Sequence, residues 1–319
     1  MKAAFLDFAT LGSEKLDVTS LRDAVDDLNL FDNTAANQVA ARIAGCEFVF
    51  INKVRMTREI IESGDRLRFI GLTATGVDNV DLDAARENDI AVCNIRAYCT
   101  NSVVEHVFAV LLQLTHSIGL YNKSVRAGDW QRATDFCMLS FPLRELSAMT
   151  LGIVGYGELG RGVARIAEAF GMRVRIARRI GQEPVTGDER IALDDLLREC
   201  DAITLHCPLT DVTRGLIGAR ELKLMKQDAI LVNTARGGLV DSAALVSALS
   251  GGEIAAAAID VLSQEPPVNG DPLLDYEGDN LIVTPHIAWA SVESRQNAID
   301  EVVENVRSFL QGGDRNRVV

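Results

Sequence analysis

Three side chains suited to acid–base or anion-binding chemistry follow apolar segments in the second half of the sequence. Arg236 comes shortly after the run 230–232 in 230-ILVNTARGGLVD-241, and the two glycines behind it leave room for a small molecule. A guanidinium matches a carboxylate with two parallel hydrogen bonds. Glu265 precedes a double proline in 260-DVLSQEPPVNG-270, and His286 follows a proline in 283-VTPHIAWAS-291. The sequence therefore contains groups that could bind an acid and transfer a proton near neutral pH.

The interpretation of His286 depends on its surroundings. A histidine taken alone is more often structural than catalytic, and we interpret His106 and His116 as parts of a helical core. A carboxylate beside His286 would favour the charged imidazolium. The residues alone leave both interpretations of His286 open.

A glycine-rich turn stands at residues 155–160, within 150-TLGIVGYGELGRGVARIAEAF-170. An apolar strand precedes the pattern G-x-G-x-x-G and a helical pattern follows it, which is the context of a dinucleotide-binding turn. Gly155 would permit the tight turn, Gly157 would let the backbone approach a pyrophosphate, and Gly160 would allow close helix–strand packing. Glu158 and Leu159 open the helix, whose positive end would face the phosphates. We include all five residues in a predicted nucleotide site.

The next predicted strand, in 172-MRVRIARRIG-181, bears on the choice of coenzyme. An acidic residue usually follows this strand and receives the ribose 2′-hydroxyl. Arg178 and Arg179 stand there instead. A guanidinium would bind a 2′-phosphate with charge-assisted hydrogen bonds. The pair predicts a preference for NADP(H), with NAD(H) possible; the alternative is a solvated surface pair.

Short apolar runs alternate with helical patterns along most of the chain, which indicates parallel sheets with helices on both faces. A long helical stretch at 102–127 and an irregular segment, 128-GDWQRATDFCMLSFPLREL-146, separate two sets of strands, and a final helix covers about 292–310. The predicted strands are residues 3–8, 48–51, 69–73 and 91–94 in the first set, and 151–154, 173–177, 202–206, 230–233, 256–260 and 281–284 in the second.

Length and composition limit the classes of function. At about 100–200 residues per domain, the 319 residues suggest two domains. The formal net charge of −13 argues against nucleic acid or an anionic membrane as the main partner. Six scattered cysteines and four histidines show no metal-ligand spacing, so we expect no metal, reduced thiols and a cytoplasmic location. The apolar segment 103–114 is too short and polar to span a membrane.

Taken together, these motifs resemble the D-2-hydroxyacid dehydrogenase family. The resemblance rests on the glycine turn, 233-NTARGGLVD-241, 260-DVLSQEPP-267 and 284-TPHIAWAS-291, with further agreement in 205-LHCPLTDVTRGLI-217 and 73-TATGVDNVDLDAA-85. It covers essentially the whole chain. The segments 5-FLDFATLG-12 and 51-INKV-54 are most similar to the glycerate dehydrogenase (hydroxypyruvate reductase) branch.

The resemblance implies roles for the three residues introduced above. Arg236 would hold the substrate carboxylate and polarise its keto oxygen. His286 would give a proton to that oxygen during reduction and take one during oxidation, and Glu265 would pair with His286. The backbone around Thr75, Gly76 and Val77 would be a second carboxylate anchor, as its glycine suits an exposed-amide role.

The resemblance also assigns residues around the coenzyme and substrate. Thr234, Ala235 and Asp260 would border the nicotinamide, with Asp260 accepting a hydrogen bond from its carboxamide. The adenosine side would be lined by His206, Cys207, Pro208 and Thr213, and we favour packing and backbone contact over thiol chemistry for Cys207. Trp289 would wall the substrate pocket and favour small substrates; ordinary core packing is the alternative.

The fold implied by the resemblance is α/β, with two doubly wound parallel-sheet domains. A Rossmann coenzyme domain, residues 101–286, would be inserted into a flavodoxin-like substrate domain formed by 1–100 and 287–319, with the chemistry in the cleft between them. The family is usually dimeric through its coenzyme domains. The segment 128–143, with three large aromatic side chains that would be awkward in water, fits such an interface.

The leading functional hypothesis is an NAD(P)-dependent oxidoreductase. It would interconvert a small 2-keto acid, hydroxypyruvate or glyoxylate, with D-glycerate or glycolate. The alternative is a nucleotide-sensing binding protein, similar to the C-terminal-binding-protein corepressors, which share this fold and the same three residues.

Overall fold

Two parallel β-sheets organise the chain, and each lies in its own unit. The computed structural model describes residues 1–12, 16–183 and 185–319. The first unit comprises Met1–Cys99 and Trp289–Val319, and the second comprises Thr100–Ala288.

The first unit contains a five-stranded sheet in the order β2-β1-β3-β4-β5, and every neighbouring pair is parallel. This is the flavodoxin-like strand order. Strands β1, β3, β4 and β5 are apolar and nearly all their residues are buried, because helices cover both faces of the sheet. The elements are β1 (Lys2–Phe5), α1 (Thr19–Ala24), β2 (Asp27–Leu30), α2 (Val39–Ile43), β3 (Phe48–Ile51), α3 (Arg58–Glu62), β4 (Phe69–Leu72), α4 (Leu82–Glu87) and β5 (Ala91–Cys93).

The second unit contains a six-stranded parallel sheet in the order β11-β10-β9-β8-β6-β7. The strand order reverses beside β6, and ligands of open α/β sheets bind at such a switch point. The elements are α5 (Thr100–Thr115), α6 (Ile118–Arg126), α7 (Asp129–Arg132), β6 (Thr150–Val154), α8 (Glu158–Ala169), β7 (Arg173–Ile176), α9 (Leu193–Glu199), β8 (Ala202–Leu205), α10 (Ala219–Leu224), β9 (Ile230–Asn233), α11 (Ser242–Gly251), β10 (Ala256–Ile259) and β11 (Leu281–Val283).

The last helix, α12 (Val292–Leu310), returns to the first unit. The ring of Phe309 lies 5.1 Å from the ring of Phe69 on β4. The side-chain amide of the buried Asn305 donates to the carbonyl of Asn94 at 2.8 Å. The helix therefore completes the core of a sheet whose strands all come from the beginning of the chain.

The predicted fold class is confirmed, whereas one predicted detail is wrong and one strand was missed. The single helix expected at 102–127 is two helices, α5 and α6, which break at Ser117 with a left-handed backbone (φ 49°). The break is fixed from outside the helices, because the Ser117 hydroxyl donates to the carbonyl of Pro142 and the Arg144 amide donates to that of Thr115. Strand β2 was not predicted.

Among the described residues, no single helix is long and apolar enough to cross a membrane. Helices α5 and α6 meet the criteria of length and composition only as a pair, and that pair is bent by 55°.

Candidate active site

The glycine turn after β6 has the geometry of a nucleotide-binding turn. Gly155 has a φ of 98°, and a Cβ there would lie 2.5 Å from the carbonyl carbon of His206. A Cβ on Gly160 would lie 2.1 Å from the carbonyl oxygen of Gly155. A Cβ on Gly157 would meet nothing within 4 Å, so this glycine faces open space at the start of α8. The first and third glycines serve close packing, and the second leaves room for a phosphate group.

The predicted helix-start residues Glu158 and Leu159 are the first two residues of α8. Glu158 is exposed and its carboxylate accepts a hydrogen bond from the hydroxyl of Thr100, whereas Leu159 is half-buried. Both directly follow Gly157 in the chain, at the start of the helix.

The residues after β8 lie against this turn. His206 donates its backbone amide to the carbonyl of Val154, and its Nε2 lies 2.9 Å from the Thr204 hydroxyl. Burial lowers the pKa of His206 to about 4 and raises the pKa of the Cys207 thiol. Both side chains are thus neutral near pH 7, which agrees with packing and not thiol chemistry for Cys207.

The loop beyond Cys207 is closed by Thr213. Its hydroxyl donates to the carbonyl of Pro208 at 2.7 Å and accepts from the amide of Thr210 at 2.8 Å. The sequence predicted Thr213 as a lining residue of the adenosine side. In the structure its hydroxyl also determines the shape of the loop.

Arg178 and Arg179 stand where β7 ends, next to the strand that carries the glycine turn. The Arg178 amide donates to the carbonyl of Ile191 at 2.7 Å, and its Nη2 donates to the carbonyl of Arg190 at 3.2 Å. Its buried Nε has no partner among the described residues. Arg179 is exposed. One guanidinium is thus held in place beside a second that faces solvent.

The turn after β9 presents Arg236 and is organised by Asn233, the last residue of the strand, which is 0% exposed. The Asn233 side chain accepts from the amide of Ala235 at 3.0 Å and donates to the carbonyl of Arg236 at 2.9 Å. Arg236 is exposed, and its Nη1 donates to the carbonyl of Ala235 at 2.7 Å. The buried hydroxyl of Thr234 has no partner among the described residues, and a bound ligand could supply one.

Gly237 brings the arginine turn against the loop that carries Glu265. A Cβ on Gly237 would lie 2.0 Å from the carbonyl carbon of Leu262 and 2.3 Å from the amide nitrogen of Ser263. No side chain fits there, and both contacting groups are backbone. The position of the arginine turn is therefore linked sterically to the position of the loop at 260–265.

Glu265 and His286 form a close pair. The Nδ1 atom of His286 lies 2.6 Å from Oε2 of Glu265, while Oε1 of Glu265 accepts from the amide of Leu262 at 2.8 Å. His286 has a left-handed backbone (φ 56°), which is costly for a residue with a Cβ and often marks a functional position. The structure thus brings together two of the three predicted catalytic residues and fixes the carboxylate at both oxygens.

Asp260, which is 2% exposed, builds the turn on which His286 stands. Its carbonyl accepts from the His286 amide at 2.7 Å. Its Oδ1 accepts from the amide of Ile287 at 2.9 Å and from the hydroxyl of Thr284 at 2.5 Å, and its Oδ2 accepts from the amide of Ala288 at 2.9 Å. These bonds hold the unusual backbone of His286 in place.

Asn233, Thr284 and His106 complete this site, and the sequence reasoning did not give them these roles. Because Thr284 has a single hydroxyl proton and gives it to Asp260, His106 Nε2 is the donor in the 3.3 Å contact with Thr284. His106, on α5, was expected to be a core residue. The sequence did contain one signal for Asn233 and Thr284, because each is a polar residue at the end of an apolar strand.

The other predicted substrate residues belong to the first unit. Thr75, Gly76 and Val77 follow β4, and within the described part of the chain their amides donate no hydrogen bond to protein acceptors. The Asn94 side chain donates to the carbonyl of Thr75 at 2.7 Å. Such a row of amides at a strand end can bind an anion.

Trp289 packs against the apolar core of the first unit. Its ring lies 6.2 Å from that of Tyr98 at an interplanar angle of 60°. This contact agrees with the core-packing alternative and leaves the predicted role at the substrate pocket as a proposal.

A parallel sheet with an open glycine turn, together with a histidine–carboxylate pair, defines a dinucleotide-dependent dehydrogenase with two α/β units. Comparison with known proteins specifies the family. Residues 108–288 match the family "D-isomer specific 2-hydroxyacid dehydrogenase, NAD binding domain". The chain belongs to the D-isomer specific 2-hydroxyacid dehydrogenase family and is an oxidoreductase.

Individual relatives agree with this assignment. A glycerate dehydrogenase of Methylorubrum extorquens is 45% identical over 281 residues, 88% of each chain. A hydroxypyruvate reductase of Blautia hydrogenotrophica is 38% identical over 324 residues, covering 100% of this chain and 99% of the relative. An acyclic imino acid reductase, Bsp5, solved in complex with NADPH and D-Arg, superposes with a TM-score of 0.86 at 28% identity and full coverage of both chains.

Proposed function

We propose that this enzyme reduces hydroxypyruvate or glyoxylate with NADPH, and runs reversibly with D-glycerate or glycolate. The observation that carries the proposal is the 2.6 Å pair between His286 and Glu265, on the turn that Asp260 holds. The similarity to a glycerate dehydrogenase and a hydroxypyruvate reductase supports this choice of substrates.

Each residue of the pair has a distinct task in the proposed reaction. His286 donates a proton from the imidazolium to the keto oxygen during reduction, and as a neutral imidazole it removes that proton during oxidation. Glu265 accepts from Nδ1, so it fixes the orientation of the imidazole ring.

Two anion-binding groups recognise the substrate carboxylate in this proposal. Arg236 forms parallel hydrogen bonds to the carboxylate and polarises the keto oxygen. The amides of Thr75, Gly76 and Val77 donate to the same carboxylate, which suits their lack of acceptors in the described part of the chain. Trp289 limits the size of the substrate.

The nucleotide site has features that fit NAD(P)(H), which when bound supplies or accepts the hydride at the carbonyl carbon. The open space at Gly157 and the free amides of α8 suit the pyrophosphate. The unpartnered Thr234 hydroxyl and Ala235 suit the nicotinamide side. Asp260 Oδ2 accepts one protein hydrogen bond among the described residues and retains capacity for the carboxamide. On the adenosine side we propose His206, Cys207, Pro208 and Thr213.

The proposed preference for NADPH rests on Arg178 and Arg179. Replacing either with alanine should lower kcat/KM for NADPH by about 10- to 100-fold, because each would lose a charge-assisted bond to the 2′-phosphate. The value for NADH should change little. Arg175→Ala is the matched control. Arg175 is an exposed arginine on β7, just before the pair, and its Nε lies 3.6 Å from a carboxylate oxygen of Glu199. A wild-type enzyme that strongly prefers NADH would contradict the proposal.

In this proposal one unit binds the substrate and the other binds the coenzyme. The first unit would be the substrate domain and the second the coenzyme domain, and two chains would associate through the second unit. We also propose a cytoplasmic location, because the six cysteines are scattered along the chain without paired spacing, as is usual for proteins of a reducing compartment.

A substrate series tests the function directly. NADPH oxidation should be followed with hydroxypyruvate, glyoxylate, pyruvate and a bulky 2-keto acid, and then repeated with NADH. We expect turnover with the first two. If NADPH binds but none of the four acids is reduced, the protein would instead be a nucleotide sensor similar to the corepressors of this fold.

A further inference from the structure

The backbone of the turn that follows β3 in the first unit is held by hydrogen bonds to a buried carboxylate. Asp7, which is 3% exposed, accepts from three consecutive backbone amides. Its Oδ1 lies 2.8 Å from the Asn52 amide, and its Oδ2 lies 2.5 Å from that of Lys53 and 2.9 Å from that of Val54. These three hydrogen bonds to one buried side chain hold the backbone at Lys53 in place.

Hydrogen bonds from a second side chain also hold this turn. The amide group of Asn79 donates to the carbonyls of Asn52 at 3.3 Å and Val54 at 2.8 Å. The amide of Met56 donates to the carbonyl of Asn79 at 2.8 Å. The turn that carries Lys53 is therefore bound directly to the segment 75–81.

This second segment contains the row of amides at Thr75, Gly76 and Val77. Strands β3 and β4 are parallel neighbours, so the residues that follow them lie at one edge of the sheet. Ligands of open α/β sheets bind at this carboxyl edge. An exposed lysine and a row of amides that donate to no acceptor within residues 1–12, 16–183 and 185–319 are thus brought together at the edge where a ligand is expected.

We propose that Lys53 is a substrate-binding residue and that its ammonium group binds the carboxylate of the 2-keto acid together with these amides. The inference rests on the proposed function. An ammonium and backbone amides both donate to a carboxylate oxygen, and a charged donor makes the stronger bond. The chain carries a formal charge of −13, which disfavours the approach of an anion, and a cation at the binding edge offsets this repulsion locally.

Lys53→Met tests the proposal. The KM for hydroxypyruvate and for glyoxylate should rise by about 10- to 100-fold with a small change in kcat, because the bond is made to a carboxylate that does not react. Lys53→Arg should restore most of the affinity. Lys2→Met is the matched control, because Lys2 opens β1 at the opposite edge of the same sheet. It should leave the KM unchanged, and the affinity for NADPH should be the same in all variants.

A binding measurement separates this proposal from the proposed function. Oxamate, a non-reducible analogue of a 2-keto acid, should be titrated calorimetrically into the NADPH-loaded protein. Oxamate binding that is lost in Lys53→Met supports the role of Lys53 even if no keto acid is turned over. Reduction of hydroxypyruvate with unchanged KM and oxamate affinity in Lys53→Met would overturn the role of Lys53 and leave the function standing. A wild-type protein that neither binds oxamate nor reduces any keto acid would overturn both.

Discussion

The carboxylate of Glu265 bridges the histidine and the loop backbone, with Oε2 at 2.6 Å from His286 Nδ1 and Oε1 at 2.8 Å from the Leu262 amide. One side chain thus sets both the charge environment of the imidazole and the position of the loop. The Leu262 backbone also lies directly against Gly237. The position of this one loop therefore affects both the turn that carries Arg236 and the carboxylate that contacts His286.

Glu265→Gln should lower the rate of the reaction in both directions. The amide keeps the size of the side chain but replaces the carboxylate that accepts from Nδ1 of His286 and from the Leu262 amide, so the imidazole ring is held less firmly. At neutral pH the reduction rate should fall by about 10²-fold. The measurement is kcat/KM for reduction and for oxidation.

A control should separate this effect from general electrostatics. Glu277 is an exposed carboxylate of the same unit. Glu277→Gln should leave both values of kcat/KM unchanged. Equal values for wild type and Glu265→Gln would contradict the role of the pair.

Gly237→Ala should impair catalysis through position, without removing a functional group. A methyl group there would lie 2.0 Å from the Leu262 backbone, so the loop that carries Glu265 must move. A misplacement of about 1 Å can cost about 10²-fold in rate, and we expect a loss of that size in kcat.

The neighbouring glycine provides a matched comparison. A Cβ on Gly238 would approach the flexible side chain of Leu209 at 2.9 Å, and that side chain can move. Gly238→Ala should therefore retain most of the activity. Equal activity losses in the two variants would show that the close contact between Gly237 and the Leu262 backbone has no particular effect on catalysis.

The parts of this site that the sequence predicted are those with a direct chemical signature. The glycine turn follows from the strand and helix around it, and Arg236 and His286 stand at strand ends where ligands bind. The strands of the sheets, except β2, were predicted because buried parallel strands are continuously apolar. Strand β2 was missed because Asp27–Leu30 is a short edge strand with polar residues at alternate positions.

The remainder depends on contacts between residues distant in sequence. The helix break at Ser117 is imposed by Pro142 and Arg144, and a local helical pattern cannot indicate it. The three amides bound by Asp7 lie about 45 residues further along the chain. Nothing in 5-FLDF-8 alone indicates them.

His206 should make the protein less stable in mild acid. Its folded pKa, about 4 because of burial, lies below the unfolded value of 6.5. Above pH 6.5 both states are neutral, and as the pH falls toward 4 the unfolded chain gains a proton that the folded chain excludes. Between pH 7 and 4.5 this costs up to about 2–3 kcal/mol of the free energy of unfolding.

The measurement is denaturant unfolding of the coenzyme-free protein at both pH values. His206→Gln, which cannot be charged, should lose less stability between pH 7 and 4.5 than the wild type does. The reverse order would show that His206 is not excluded from protonation in the folded state.

The exposed apolar side chains of the segment after α7 should form the contact between two chains. Phe136 is 90% exposed and Leu139 is 78% exposed, which is unusual for large apolar residues in one short segment. The double variant Phe136→Glu, Leu139→Glu should be a monomer in light scattering, because two carboxylates would be buried in the contact. Leu310→Glu, at an exposed apolar position of the first unit, should not change the molar mass. A wild-type monomer would contradict the proposal.

The return of α12 to the first unit also has a consequence for biosynthesis. The ribosome makes β1 to β5 before the whole second unit and makes α12 after it. Until then Phe69 lacks the ring of Phe309, and an apolar face of the early sheet stays uncovered. Domains generally fold as units during synthesis. We therefore expect the second unit to fold before the first, which stays incomplete until residues 289–319 emerge and until then offers chaperones an exposed face.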